Sequence, residues 1–363
     1  MKGNESRKRV TLKVVAEATG YTVATVSMAL RNRPQVNVRT RERIQRKALE
    51  LGYVPDPDIT RLMYRLRSER AASTQAALAY LTFYHKRDRI HNPHLALGYR
   101  TMVEAAAAHG YALQEFYLPD YQGRPESLER ILRSRGISGV IISGLRDFTE
   151  RVEINLDRFS VSTTGMSLDL PIHRACQNQY ADARRIQRHL IERGYRRIGL
   201  FLPKISDERV GNHYSAAFHV FNEQRSSAER IKPQLLDEMT REALLEGVER
   251  ERPDVVVFHA PSPETMHGWL TEAGYRIPED IGLAALDLAN DETPFSGMVQ
   301  NTAGAVRASV DLVVNQIMRD QRGFPEEPRV VLVEGRFHEG ETVRPLKPGG
   351  IEASPRSRAA ARG

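Results

Sequence analysis

Apolar positions early in the chain repeat at helical spacing. Leu12, Val15 and Ala16 share one face of a short predicted helix that Thr11 caps and Gly20 ends. Thr22 caps a second helix through about Arg31, which turns Val26 and Leu30 inward and keeps Thr25 and Ser27. After "RNRP", Asn37 opens a third helix, with Ile44, Ala48 and Leu51 on its inner stripe and Gly52 past its end. The two prolines of "YVPDPD" make a stiff linker. Next, "ITRLMYRLRSER" places Ile59, Leu62, Met63 and Leu66 at i, i+3, i+4 and i+7, an amphipathic helix with a basic opposite face.

From Gln75 the pattern changes to short apolar runs alternating with helical stretches, such as "AALAYLTF", "GVIISG" and "FSVSTTG". The alternation restarts after "DLPIHRAC", with "RRIGLFLP", "DVVVFHA" and "IGLAALDL" as the next strands. Repeated strand–helix units predict parallel sheets flanked by helices, and two successive sets predict two lobes. "GAVRASVDLVVNQIMRDQ" reads as one more helix and "RVVLVEGRF" as one more strand.

Composition narrows the class. The 363 residues are 40% hydrophobic and 27% charged, ordinary for a soluble protein. There is no apolar run of membrane-spanning length, and "MKGNESRKRV" lacks the apolar stretch of a signal peptide. The single cysteine, Cys176, excludes an internal disulfide framework and fits a reducing compartment. The expected location is the cytoplasm, on the nucleoid, with no membrane partner.

Charge is uneven. Residues 1–70 carry 16 Lys/Arg against 7 Asp/Glu, and residues 344–363 carry 5 against 1. The overall net charge is +7, so the stretch between is acidic. A basic head on an acidic body predicts a polyanion partner for the head; a merely solvated terminus is the alternative.

Two short helices about a Gly turn, followed by a third, form a helix-turn-helix pattern. A helix that enters the major groove needs a small, non-bulky outer face and a hydroxyl-rich start for phosphates. Thr22, Thr25 and Ser27 suit the phosphates, and Val23, Ala24 and Met28 remain for base edges. A plain three-helix satellite domain would use the same hydroxyls as caps.

"VTLKVVAEATGYTVATVSMALRNRPQVNVRTRERIQRKALELGYVPDP" resembles the DNA-binding head of the lactose-repressor (LacI/GalR) family of bacterial regulators. "VATVS-AL", "TRERI" and "LGYVP" carry the match, with weaker similarity to about residue 345. The resemblance implies a helix-turn-helix head over 1–56, a hinge helix and linker over 57–74, and a two-lobed core over 75–343 like that of periplasmic binding proteins. The N-lobe would take about 75–170 and 300–328, the C-lobe about 171–299 and 329–343, leaving a disordered basic tail over 344–363. It further implies a homodimer on a pseudo-palindromic double-stranded operator. The DNA-contacting set would be Thr11, Thr22, Val23, Ala24, Thr25, Ser27, Met28, Arg31, Asn32, Arg33, Arg39, Tyr53 and Leu62. Leu62 falls where family members wedge a leucine between base pairs, which unstacks a step and bends the duplex. Met28 replaces a frequent family arginine and cannot make bidentate bonds to guanine.

Family cores bind a small ligand between lobes, where strands end. Positions just past the predicted strands are Tyr84, His85, Ser143, Thr164, Ser262 and Asp287, and His94 stands near a helix start. Asp287 resembles the family acid that binds ligand hydroxyls, and Arg209 the arginine that faces it. An ion pair between the lobes is the structural alternative. Ser262-Pro263, Asn178-Gln179 and Leu288 depart from the family pattern. His85, His91 and His94 lack a carboxylate or Cys companion at metal spacing, so no metal is expected, nor any cofactor. The chain carries no Gly-rich phosphate loop, Gly-x-Ser-x-Gly elbow or His-Glu-x-x-His motif. The expected function is therefore a non-enzymatic repressor controlled by a carbohydrate-like effector. A core that binds a partner protein or no ligand, and a sugar-modifying enzyme with an appended head, are the alternatives.

Overall fold

The computed structural model describes residues 10–30, 36–53 and 76–346. Arg31, Asn32, Arg33, Leu62, the expected hinge helix over 57–74 and the stretch from 347 onward lie outside these residues.

The head is three helices, α1 (Leu12–Thr19), α2 (Val23–Leu30) and α3 (Val38–Glu50). Val15, Ala16, Val26, Ala29, Val36, Ile44 and Ala48 form its core. Gly20 adopts φ +75, the left-handed conformation that ends a helix, and its N–H bonds to the Ala16 carbonyl. Thr22 Oγ1 accepts the Thr25 N–H at 3.1 Å, and Asn37 Oδ1 accepts that of Arg39 at 3.0 Å. Both therefore cap helices as the sequence predicts. Thr11 precedes α1 but its side chain makes no capping bond; only its carbonyl receives the Val15 N–H. Ala29, not Leu30, is the fully buried residue near the end of α2, with Leu30 packed at the core's margin.

The rest folds into two lobes. The first sheet contains β1 (Ala77–Thr82), β2 (Ala112–Tyr117), β3 (Gly139–Ile142), β4 (Ser160–Thr164), β5 (His173–Gln177) and β11 (Val330–Val333), in the order β11-β5-β4-β3-β1-β2. The second contains β6 (Ile198–Pro203), β7 (Gln234–Leu236), β8 (Val255–Phe258), β9 (Gly282–Leu288), β10 (Ser296–Val299) and β12 (Arg336–His338), in the order β12-β10-β9-β8-β6-β7. All pairings are parallel except β10 with β12. Inner strands such as "GVII" and "VVVF" are buried throughout, as parallel strands covered on both faces must be.

Helices supply the cover. On the first sheet these include α5 (Pro93–Ala108), α6 (Pro125–Ser134) and α12 (Thr302–Arg319), with the short exposed α4 (Asp88–His91) leading into α5. Met102 and Ala106 of α5 pack with Val306, Val310, Val313 and Val314 of α12 over Leu78 and Ile141. On the second sheet, α7 (Gln179–Glu192) and α9 (His213–Glu223) cover one face, while α10 (Arg241–Glu251) and α11 (Pro263–Glu272) cover the other. The short α8 (Lys204–Glu208) follows β6.

The lobe boundaries differ from expectation at two of three crossings. β5 pairs with β4, and β11 pairs with β5, so both strands belong to the first lobe rather than the second. "RVVLVEGRF" is two strands, one for each sheet, parted at Glu334 and Gly335. A Cβ on Gly335 would lie 2.7 Å from the Val299 carbonyl oxygen and 2.9 Å from Asp182 Oδ2, so only glycine lets the crossing pass so close. The polar character of "HRACQ" hid β5, because one flank meets only the partly exposed β11. Arg344, expected in the disordered tail, is instead held by the second lobe: its N–H bonds to Tyr195 Oη at 2.9 Å and its guanidinium lies 4.4 Å from that ring's centre.

Candidate DNA-reading helix and interlobe cleft

On α2 the buried residues are Val26 and Ala29, which leaves the opposite face outward. Thr22, Val23 and Ala24 are exposed, Val23 by 45%, and Thr25 and Ser27 are half-buried. The Thr22 and Thr25 hydroxyls share a hydrogen bond of 2.9 Å. The helix thus offers a small apolar tip rimmed by hydroxyls, suited to base edges and phosphates. Met28 differs from expectation: it is half-buried and packs against the head core, which limits what it could present to a base. Arg39 is exposed at the start of α3, with Arg43 and Arg46 exposed along it. Thr11 is exposed beside α1, and Tyr53 is half-buried against the core.

The two sheets turn their strand ends toward a shared cavity of about 380 Å³. Tyr84, His94, Ser143, Thr164, Arg209 and Asp287 line it. His85 does not: it lies on an exposed turn, held edge-on to Tyr117 with its N–H bonded to Asp88. Ser262 does not either, because β8 stops at Phe258 and Ser262 caps α11 by accepting the Thr265 N–H. The residue just past that strand, His259, enters the cavity instead.

The cleft is built around Asp287. His94 Nε2 of the first lobe lies 3.2 Å from its Oδ1, and His259 Nε2 lies 3.7 Å from its Oδ2. Burial acts to raise the Asp287 carboxyl, but the hydrogen bond and charge of His259 and the charge of His94 outweigh it and hold it below the usual range. Arg209 does not face Asp287. Its Nη2 reaches across to Tyr84 Oη and to the Leu145 carbonyl, the latter at 2.8 Å, so a second-lobe guanidinium grips the first lobe. Tyr84 Oη also donates to that carbonyl at 3.2 Å. Ser143 Oγ is engaged internally, donating to the Gly144 carbonyl and accepting the Phe83 N–H.

Sequence reasoning missed Tyr80, Tyr99, Gln177, Gln179, Tyr214, His259 and Gln300, all of which line the cleft. Gln177 ends β5 and Gln300 follows β10, so the strand-end rule would have found both had those two strands been assigned. Burial pushes the Tyr214 phenol well above its ordinary range, reinforced by Asp287, Asp182 and Asp207.

Comparison with known proteins agrees with this arrangement. Residues 11–56 match the bacterial regulatory proteins of the lacI family, and residues 187–343 match the periplasmic binding protein-like domain. The HTH-type transcriptional repressor CytR of Escherichia coli (strain K12) is 24% identical over 301 residues, 79% of this chain and 82% of that protein. The structure of the transcriptional regulator CelR–cellobiose complex shares the fold with a TM-score of 0.53 at 19% identity, covering 92% of this chain and 100% of that one. The lac repressor dimer bound to operator and the anti-inducer ONPF gives a TM-score of 0.53 at 20% identity, covering 92% and 99%. Among the described residues no helix is long and apolar enough to cross a membrane. With a lacI-family head matched over residues 11–56 and a periplasmic binding protein-like domain matched over residues 187–343 behind it, the chain has the make-up of a LacI-type DNA-binding transcriptional regulator.

Proposed function

We propose that this regulator is a cytoplasmic, nucleoid-bound repressor without enzymatic activity. It binds a pseudo-palindromic operator as a homodimer and changes its grip when a small polar ligand, carbohydrate-like in character, occupies the interlobe cleft. The observation that carries the reading is the cleft, where side chains from both lobes converge on one carboxylate, Asp287. A ligand held there touches both lobes and so biases their relative orientation, as differential binding to two states requires. The CelR complex with cellobiose and the lac repressor dimer on operator support the ligand class and the assembly.

In this mechanism Thr22, Thr25 and Ser27 meet phosphates while Val23 and Ala24 meet base edges. Arg39, with Arg31 and Arg33 beyond the described residues, neutralises phosphate. Thr11, Asn32 and Tyr53 complete the interface, and Leu62 wedges a central base step. Lobe movement then orders or frees residues 58–67.

The test is a pull-down of genomic fragments by the full-length protein, repeated across salt concentrations. The expected result is enrichment of a site with two related half-sites and affinity that falls steeply with salt. Retention of no fragment at low ionic strength would overturn the proposal.

A further inference from the structure

Three acceptor oxygens of residues lining the interlobe cleft are buried without a hydrogen-bond partner. On the second-lobe side, Gln300 is 7% exposed and its Nε2 donates to the Leu286 carbonyl at 2.8 Å. That bond fixes the amide, so the atom left over is an acceptor, Gln300 Oε1, which has no partner. Asp287 Oδ1 has no hydrogen-bond partner either, although His94 stands near it. Gln179, 6% exposed at the start of α7, adds a third unpartnered acceptor, its Oε1.

The cleft's guanidinium is already engaged. Arg209 is the only Lys or Arg among the described residues lining the cavity, and its Nη2 is bonded to Tyr84 and Leu145. Gln177 Nε2 donates to Thr302 Oγ1 at 3.4 Å. Two further buried carboxylates, Asp182 and Asp207, stand close enough to act with Asp287 on Tyr214. A buried acceptor without a partner calls for a donor, and a second anion beside it meets repulsion.

We infer that the effector is a non-acidic, donor-rich polyol whose hydroxyl or ammonium groups meet Asp287 Oδ1 and Gln300 Oε1, and that sugar acids and sugar phosphates are rejected. This rests on the reading of the cleft as the effector site and sharpens it from polar to non-anionic. Gln300 is then a specificity-determining residue alongside Asp287, and its carbonyl oxygen selects for a donor at that point of the ligand.

The full-length protein would be assayed by thermal shift against matched sets in the gluco, galacto and manno series. Each set contains the neutral hexose, its 2-amino form, its uronic acid and its 6-phosphate, with cellobiose added. Any stabilising compound should be neutral or amino, with its acid and phosphate counterparts at least ~10-fold weaker. Asp287→Asn and Gln300→Leu should each weaken that compound by about tenfold or more. An acid or phosphate that binds as well as its neutral counterpart overturns the inference but leaves an effector-binding cleft. So does tighter binding by Asp287→Asn. Silence across the whole set, in a protein that still binds DNA, removes the carbohydrate effector itself and the inference with it.

Discussion

Asp182 on α7 receives the Gly335 N–H on one oxygen at 3.0 Å, while its other oxygen is buried without a partner. Burial pushes its carboxyl up to about 6; the Gly335 N–H and Arg185 oppose the rise, and Glu334 and Asp287 add to it. The folded value exceeds the unfolded one, so the native state retains a proton that the unfolded chain has released. The stability this confers at acid pH is lost as pH rises through about 6. Asp182→Asn keeps an acceptor for Gly335 and should raise stability at pH 8 by up to ~3 kcal/mol, with little change near pH 4, in urea unfolding at the two pH values. In the head, Ile44→Ala should destabilise by ~2–5 kcal/mol because Ile44 is fully buried. Ala24→Glu, on the exposed face of α2, should leave the melting curve intact and abolish operator binding in a gel-shift assay. At this scale the sequence was most legible where chemistry is local. The Thr22 and Asn37 caps and the Gly20 break depend on residues within one turn. His259 and Gln300 were invisible because their roles depend on where a strand stops, which tertiary pairing decides.

Elements bear out the same division. Helices with a clear apolar stripe, such as α3 and α12, were readable, as were strands buried on both faces. β5 and β12 were not, since each borrows its regularity from a neighbour. α7 shows how the second lobe takes hold of the last crossing. Arg185 bonds to Glu334 and the Gly335 carbonyl, Arg193 pairs with Glu339 at 2.7 Å, and His189 stacks on Phe337 with ring centres 4.4 Å apart. Opposite it, the stretch after α8 sends Arg209 into the first lobe. Arg209→Ala should loosen the lobes without unfolding either, since the guanidinium bonds only at the cleft. Small-angle scattering should record a larger radius of gyration, and unchanged scattering would show that the His94–Asp287 contact suffices to hold the lobes.

On the scale of the whole molecule, the described head and core obey different physics. The head is small, with one cluster of seven buried apolar residues, while the core carries four clusters across two sheets. The general plan of head, then two sheets, followed from charge and periodicity. The exact route between sheets did not, because crossings are set by which edges pair late in the chain rather than by any local pattern.

That route has a temporal consequence. Both sheets take their final strand from the same short stretch, Val330 to His338. A ribosome must therefore pass residue 333 before the first sheet can gain its last strand, and residue 338 before the second can. The three-helix head draws its whole apolar core from residues 10–53, so on each new chain it is able to fold well before the sheets behind it are complete.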